Sequence, residues 1–309
     1  MIVPMGELID NIKGDLEMAL SGVGGFSYAE VLDGDITVSD ATTKIYVYNK
    51  SNVKVAFLLC GYSQYSDINR RHLLNNQNFK SQLSKDSGSV FLEPFLVGYV
   101  AGIDYTIWPI CEPLGSNTNF FLRKIQEFKY QPLVLKWLRT VNKESQVLAS
   151  DSEVINDFII PLQELFERDG VQKKLKEEIK CQINNLQDCS WRPLFVLAHN
   201  DFWEGNVLID PKSMDNKYKG LTIIDWAGGS YRGFAIFDLV RMALSLGLSK
   251  SAFQNELQLH CKILSCDKRQ AMGYLLASFA FLSNNLGEFP EERFLQLLHK
   301  CFNYLDKKL

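Results

Sequence analysis

The sequence predicts an α+β chain in two lobes, a small β-rich front part and a larger helical back part. Three observations carry this. Residues 26 to 110 hold short runs rich in β-branched and aromatic residues, separated by turn signals. From about residue 116 onward, apolar residues recur at i, i+3 and i+4. Between the helical stretches, at about 194 to 226, brief apolar runs enclose a cluster of polar side chains. Strands first and helices after, rather than strict alternation, is the α+β pattern.

The elements follow in order. Residues 6 to 20, "GELIDNIKGDLEMAL", place Leu8, Ile9, Ile12, Leu16 and Leu20 at helical spacing. "YAEVL", "KIYVYN" and "VKVAFLLC" read as three strands, with Asp33-Gly34 and Lys50-Ser51-Asn52 as the turns. Residues 66 to 84 read as a helix capped by Ser66 or Asp67. "SVFLEPFLVGYV" and "YTIWPI" supply two more strands, so a sheet of about five strands with one helix after the third is expected. After "CEPLGS" the chain turns helical over "NTNFFLRKIQEFKYQPLVLKWLRTV" and "DSEVINDFIIPLQELFERDGVQKKLKEEIKCQINNL". "LFVLAH" and "NVLID" read as a short central hairpin, "LTIIDW" follows, and residues 234 to 309 return to helix. The expected division is 1–111 and 112–309.

Composition narrows the class. The chain has 309 residues, 46% hydrophobic and 22% charged, the profile of a soluble globular protein with room for two modest lobes. A net charge of -3 gives no global pull toward nucleic acid or an anionic membrane. The longest apolar stretch, Met272 to Leu282, is too short to span a bilayer. The N-terminal segment carries acids early and lacks a signal-peptide core. The cysteine count is 7, odd and without CxxC spacing, so reduced thiols in a cytoplasmic protein fit better than zinc or a disulfide framework.

The chemistry concentrates in "VLAHNDFWEGNVLID". His199, Asp201 and Asn206 stand between two apolar runs, and Asp225 ends a further one in "IIDWAGG". A carboxylate beside an attacking hydroxyl can orient it or accept its proton. A second carboxylate and an amide oxygen are hard donors suited to Mg²⁺, which takes few protein ligands plus substrate phosphates. The spacing H-x-D-x-x-x-x-N matches a kinase catalytic loop, and Asp225 falls where a kinase's metal-binding Asp stands. Asp201 and Asn206 can also serve as turn formers.

Taken together, "AHNDFWEGNVLID" and "IIDWAGGSYRGFAIFDLVR" resemble the aminoglycoside phosphotransferase and choline kinase family, whose pattern is H-G-D-x-x-x-x-N, then I-D-W/F, then G-x-x-x-x-D-L. The resemblance is sharp over residues 194 to 241, with Asn200 at the position of the usual Gly. It implies a protein-kinase-like fold and ATP- and Mg²⁺-dependent transfer of phosphate to a small-molecule hydroxyl. It also implies Asp201 as catalytic base, His199 as brace of the catalytic loop, and Asn206 and Asp225 as metal ligands. Asp238 would brace the catalytic loop; as a residue pattern alone it also suits the N-cap of a helix over 239–247. Only thirteen positions separate Asp225 from Asp238 and no A-P-E follows, so the peptide-docking segment of a protein kinase has no room.

The nucleotide-binding half departs from the family pattern. Ser39, Asp40, Ala41 and Thr42 in "VSDATTKIYVY" are the candidates for a phosphate loop, against an ordinary hairpin. The third-strand position that carries a Lys or Arg in the family falls at about Leu58, and the helix "SDINRRHLLNN" has no Glu. Lys54, Lys44 or Arg70 could substitute from another direction, with Lys54 assigned to the nucleotide here. Backbone groups around Ile110 to Glu112 are expected to meet the adenine edge, with Ile223 or Leu208 beside the ring. The missing ion pair supports a rival reading, a degenerate kinase-fold protein that binds a nucleotide or ligand without transferring phosphate. No acidic cluster appears in 251–309, which argues against a polycationic acceptor. Trp203, inside the catalytic loop, is the outstanding aromatic candidate for an acceptor contact.

Overall fold

The computed structural model describes residues 5–33, 42–62, 68–115, 119–210, 213–287 and 289–308. The chain opens with helices α1 (Met5–Asn11) and α2 (Lys13–Ala19), where the sequence suggests one. The break falls at Ile12, yet the stripe Leu8, Ile12, Leu16 and Leu20 runs through it, each at most 1% exposed. Strands β1 (Tyr28–Asp33), β2 (Thr43–Tyr48) and β3 (Lys54–Tyr62) follow, then helix α3 (Ile68–Gln82), a single turn α4 (Lys85–Gly88), and strands β4 (Leu96–Val100), β5 (Ile103–Pro109) and β6 (Glu112–Pro113). The turn between β2 and β3 is closed by Asn49, whose Oδ1 accepts from the N–H groups of Ser51 and Val53, each at 3.0 Å.

The rest is mainly helical. Helix α5 (Phe120–Ser145) starts from Asn119, which accepts from Phe121 and Leu122 N–H as its N-cap. Strand β7 (Val147–Leu148) leads to α6 (Asp151–Glu153), capped by a Ser150–Glu153 capping box. A π-helical stretch over Val154–Ile159 joins it to α7 (Ile160–Glu167), and α8 (Lys173–Gln187) follows. Strand β8 (Leu194–Ala198) enters the polar motif, and β9 (Val207–Ile209) and β10 (Leu221–Ile223) come after it. Strand β11 (Ser230–Phe234) and helices α9 (Phe237–Ser245), α10 (Lys250–Ile263), α11 (Lys268–Ser283) and α12 (Glu291–Asp306) complete the chain.

Two compact units emerge. The first holds Met1–Ser81, Gly88–Pro113 and Leu208–Ala227; the second holds Gln82–Ser87, Leu114–Val207 and Gly228–Leu309. In the first, five antiparallel strands run in the order β1-β2-β3-β5-β4, with α3 inserted after the third in sequence. One face of this sheet packs Ile45, Val47, Ala56, Leu58, Cys60, Ile103 and Ile107 against the α1–α2 stripe. A second sheet in the same unit runs β10-β9-β6. In the second unit the sheet runs β11-β8-β7, so "LFVLAH" pairs with β11 and β7 instead of forming a hairpin with "NVLID". The sequence hides β11, "SYRGF", because a glycine and an arginine interrupt its alternation. The cysteines form no disulfide, and no helix among the described residues is long and apolar enough to cross a membrane.

Candidate active site

In the second unit, β8 delivers the chain to a tight loop over residues 199–206. Asn200 takes φ 66°, a left-handed conformation that costs most side chains energy but that Asn tolerates. Three contacts hold it there. The Asp238 carboxylate accepts from His199 N–H at 2.6 Å and from Asn200 N–H at 3.0 Å, and the Asn200 amide donates to the Gly228 carbonyl at 2.8 Å. Asp238 is therefore a brace and not the cap of α9: it is the second residue of the helix, and Ile236, with φ 75°, stands at the cap position. Burial pushes the Asp238 carboxyl above its ordinary range, against the opposing pull of His199 and the two N–H groups. His199 is 2% exposed and packs on fully buried Phe202, with ring centroids 5.7 Å apart. Its Nδ1 accepts from Asp201 N–H at 3.3 Å.

The Asp201 side chain is half exposed and held from two sides. Its Oδ1 pairs with Arg241 Nη2 at 2.5 Å, and its Oδ2 accepts from the Asn206 amide at 3.2 Å. The same Asn206 nitrogen donates to the Asp201 carbonyl at 2.8 Å. Asn206 closes a 3₁₀ turn, Glu204–Asn206, and is 7% exposed. With its NH₂ group committed inside the loop, the amide oxygen is the atom left to act as a hard donor. Arg241 was not among the residues the sequence singled out. The signal was there in retrospect: "FDLVR" places it three residues after Asp238, on the same face of α9. One side of that helix thus fixes both the loop backbone and the carboxylate.

Glu204 anchors the other edge of the loop. Its N–H donates to Ser245 Oγ at 3.0 Å and its carboxylate pairs with Arg123 at 3.1 Å. Burial pushes the Glu204 carboxyl up, against the Arg123 charge. Trp203 is 43% exposed, and its ring lies so close to Gly205 that a Cβ there would fall 2.3 Å from it.

In the first unit, Asp225 follows β10, is exposed, and takes φ 66°. The backbone beside it is tied to α3: Trp226 N–H donates to His72 Nδ1 at 3.1 Å, and the Asn75 amide donates to the Trp226 carbonyl at 2.9 Å. Trp226 itself is core, stacked on Phe91 at 4.6 Å. Helix α3 therefore offers His72 and Asn75 where an acid was sought. Leu58 is fully buried in the α1–α2 face, and Leu59 beside it lies on the other face of the sheet. The Lys54 ammonium sits over the Tyr46 ring, 3.8 Å from its centroid.

Glu112 is exposed and paired with Ile209 in the β6–β9 ladder, and Ile110 is half-buried. Ile223 is fully buried, which leaves half-buried Leu208 as the one of the two able to face a ring. Thr42 is half-buried just before β2; Ser39, Asp40 and Ala41 lie outside the described residues. Among the described residues no group of three or more His, Cys, Asp or Glu is gathered for a metal.

These two units and their sheets define a protein-kinase-like fold of the kind seen in small-molecule kinases. The chain aligns with choline kinase LicA from Streptococcus pneumoniae at a TM-score of 0.52 and 13% identity, covering 96% of this chain and 99% of that one. A thermostable mutant of aminoglycoside phosphotransferase APH(4)-Ia, in a ternary complex with AMP-PNP and hygromycin B, aligns at 0.54 and 11% identity, covering 94% and 97%. Aminoglycoside 2'-phosphotransferase-IIIa, in its GDP complex, aligns at 0.53 and 11%, covering 96% and 98%. No family model and no curated protein sequence matches the chain.

Proposed function

We propose that this protein is a phosphotransferase that moves the terminal phosphate of ATP to a hydroxyl of a small molecule. The observation that carries the reading is the Asp201 carboxylate, solvent-accessible yet fixed by Arg241 and Asn206 on a loop braced by buried Asp238. A group held this way on rigid elements is what general-base and orienting chemistry needs. Asp201 would receive or align the acceptor's hydroxyl proton, and His199 would keep the loop backbone in place. Arg241 would hold the carboxylate in one rotamer while the acceptor approaches its open side.

Asn206 and Asp225 are the proposed Mg²⁺ ligands. An amide oxygen and an exposed carboxylate are each hard donors of the kind Mg²⁺ accepts beside water and substrate phosphates. When bound, the ion would neutralise phosphate charge during transfer. Thr42, Ser39, Lys54, Ile110 and Glu112 remain the proposed nucleotide contacts. The solved structures of like fold support this reading, since they are kinases of choline or aminoglycosides, two of them with AMP-PNP or GDP bound. A cytoplasmic location fits cysteines that form no disulfide.

A second reading has its own observation. Leucine occupies the β3 position, and α3, "INRRHLLNNQNFKSQ", has no acid to form the kinase ion pair. On that reading the protein binds nucleotide without transferring phosphate. An ADP-release assay with MgATP across a panel of alcohols, amino alcohols and sugars separates the two. Turnover with any acceptor supports the kinase. Thermal stabilisation by MgATP with no turnover on the whole panel supports the binding module.

A further inference from the structure

The five-stranded sheet has one face closed by α1 and α2 and one that is not. Alternation along each strand assigns the second face. On β2 it carries Lys44 and Tyr46, since Ile45 and Val47 are core; on β3 it carries Phe57 and Leu59, since Ala56, Leu58 and Cys60 are core; on β5 it carries Thr106 and Trp108, since Tyr105 and Ile107 are core. The register joins these into two rungs, Tyr46–Phe57–Trp108 and Lys44–Leu59–Thr106. The first is an aromatic row, with Tyr46 and Phe57 rings 5.8 Å apart and Trp108 set against His72 of α3 at 5.2 Å. The second carries one cation, exposed Lys44, directly across from Leu59.

We propose that Lys44 supplies the ammonium that receives the nucleotide's phosphates, reaching across one rung to the place that Leu59 leaves apolar. This rests on the nucleotide-binding part of the reading above. Residues directly opposite in an antiparallel pair point to the same face with Cβ atoms about 4.5–5.5 Å apart, a gap that a four-carbon lysine stem spans. The alternatives are worse placed. Lys54 enters β3 five residues before Leu59, about 16 Å along the strand, and its ammonium is engaged by the Tyr46 ring. Arg70 is exposed in the first turn of α3, with no strand register to aim it at this rung. The aromatic rung lies two residues from Lys44 along β2, so one sheet face carries aromatic side chains and a cation close together. A chain that lost the β3 cation and kept one on β2 would keep nucleotide affinity by relocating the charge.

Calorimetric titration of MgATP and MgADP into the full chain tests this directly. Lys44→Met is expected to weaken both by about 10- to 100-fold, the effect of losing a charge-assisted phosphate contact. Lys44→Arg should retain binding. The double variant Lys44→Met/Leu59→Lys, which moves the ammonium across the rung, should recover most of the loss, a result that mere damage to the sheet would not give. Lys54→Met should weaken binding less than Lys44→Met does. Parent-like binding by Lys44→Met overturns the assignment, as does an equal loss in Lys54→Met or Arg70→Ala. If the parent itself binds neither nucleotide, the nucleotide-binding reading fails and takes the Lys44 assignment with it.

Discussion

Replacing Asp238 with Ala removes one carboxylate and strands two backbone donors. His199 N–H is buried and Asn200 N–H is partly buried, and both donate to Asp238 at 2.6 and 3.0 Å. Leaving such a donor unsatisfied costs about 1–3 kcal/mol each. Part of that is offset because the variant no longer buries an ionisable carboxyl, whose range burial already raises. The net expectation is a loss of about 2–4 kcal/mol, which corresponds to a fall in melting temperature of roughly 3–6 °C for a chain of this size. Asp238→Asn keeps one acceptor oxygen and should lose about half as much. The left-handed Asn200 would also be released, so phosphate transfer should fall with stability. Differential scanning calorimetry of the three proteins is the assay. An alanine variant that melts within about 1 °C of the parent would refute the brace, as would an asparagine variant less stable than the alanine one.

Arg241→Met should lower kcat about 10- to 100-fold, with little change in the KM for ATP, because it frees the Asp201 carboxylate to adopt other rotamers without touching a phosphate contact; an unchanged kcat in steady-state assays would remove Arg241 from the mechanism. Gly233→Ala should destabilise by about 1–3 kcal/mol in urea unfolding, since its Cβ would fall 2.3 Å from the Ala198 Cβ and push β11 off the strand that feeds the catalytic loop; parent-like stability would contradict that packing. Acid should destabilise the second unit through His260. Burial holds this imidazole below its usual range although Glu256 pulls the other way, so the neutral form is favoured on folding. Its contribution is complete above the unfolded value of about 6.5 and fades as pH falls from there toward the lower folded value, with a slope of at most about 1.4 kcal/mol per pH unit. His260→Gln should flatten that part of the stability curve in urea titrations from pH 7.5 to 5; an identical slope would refute the assignment.

The loop over residues 199–206 is more legible in the sequence than the sheets around it. His199, Asp201, Asn206 and Asp225 stand out in the sequence as proposed site residues because phosphoryl-transfer chemistry would fix residue types at short, rigid spacings. Asn200 was legible as a tolerable stand-in for Gly, and its φ of 66° shows why: the position demands a left-handed residue. The role of Asp238 was open between cap and brace, because both use the same side chain and only the partner N–H groups distinguish them. Arg241 follows Asp238 by one turn in "FDLVR", but its partner is forty positions away in sequence and is brought close by the pairing of β8 with β11 and the docking of α9. Leu58 and Leu59 are equivalent in composition, and one residue of phase decides which faces the core, a distinction that depends on register rather than residue type. The π-helical turn at Val154–Ile159 left no mark in the periodicity, since one extra residue per turn is within the scatter of any apolar pattern.

The central claim is phosphoryl transfer that depends on Asp201. The most direct measurement follows the labelled terminal phosphate of ATP into an acceptor, comparing the parent with Asp201→Asn at saturating MgATP. The account predicts a labelled phosphoester with the parent and a loss of rate of at least about 100-fold in the variant, with nucleotide affinity preserved. A variant that transfers label as fast as the parent would contradict it.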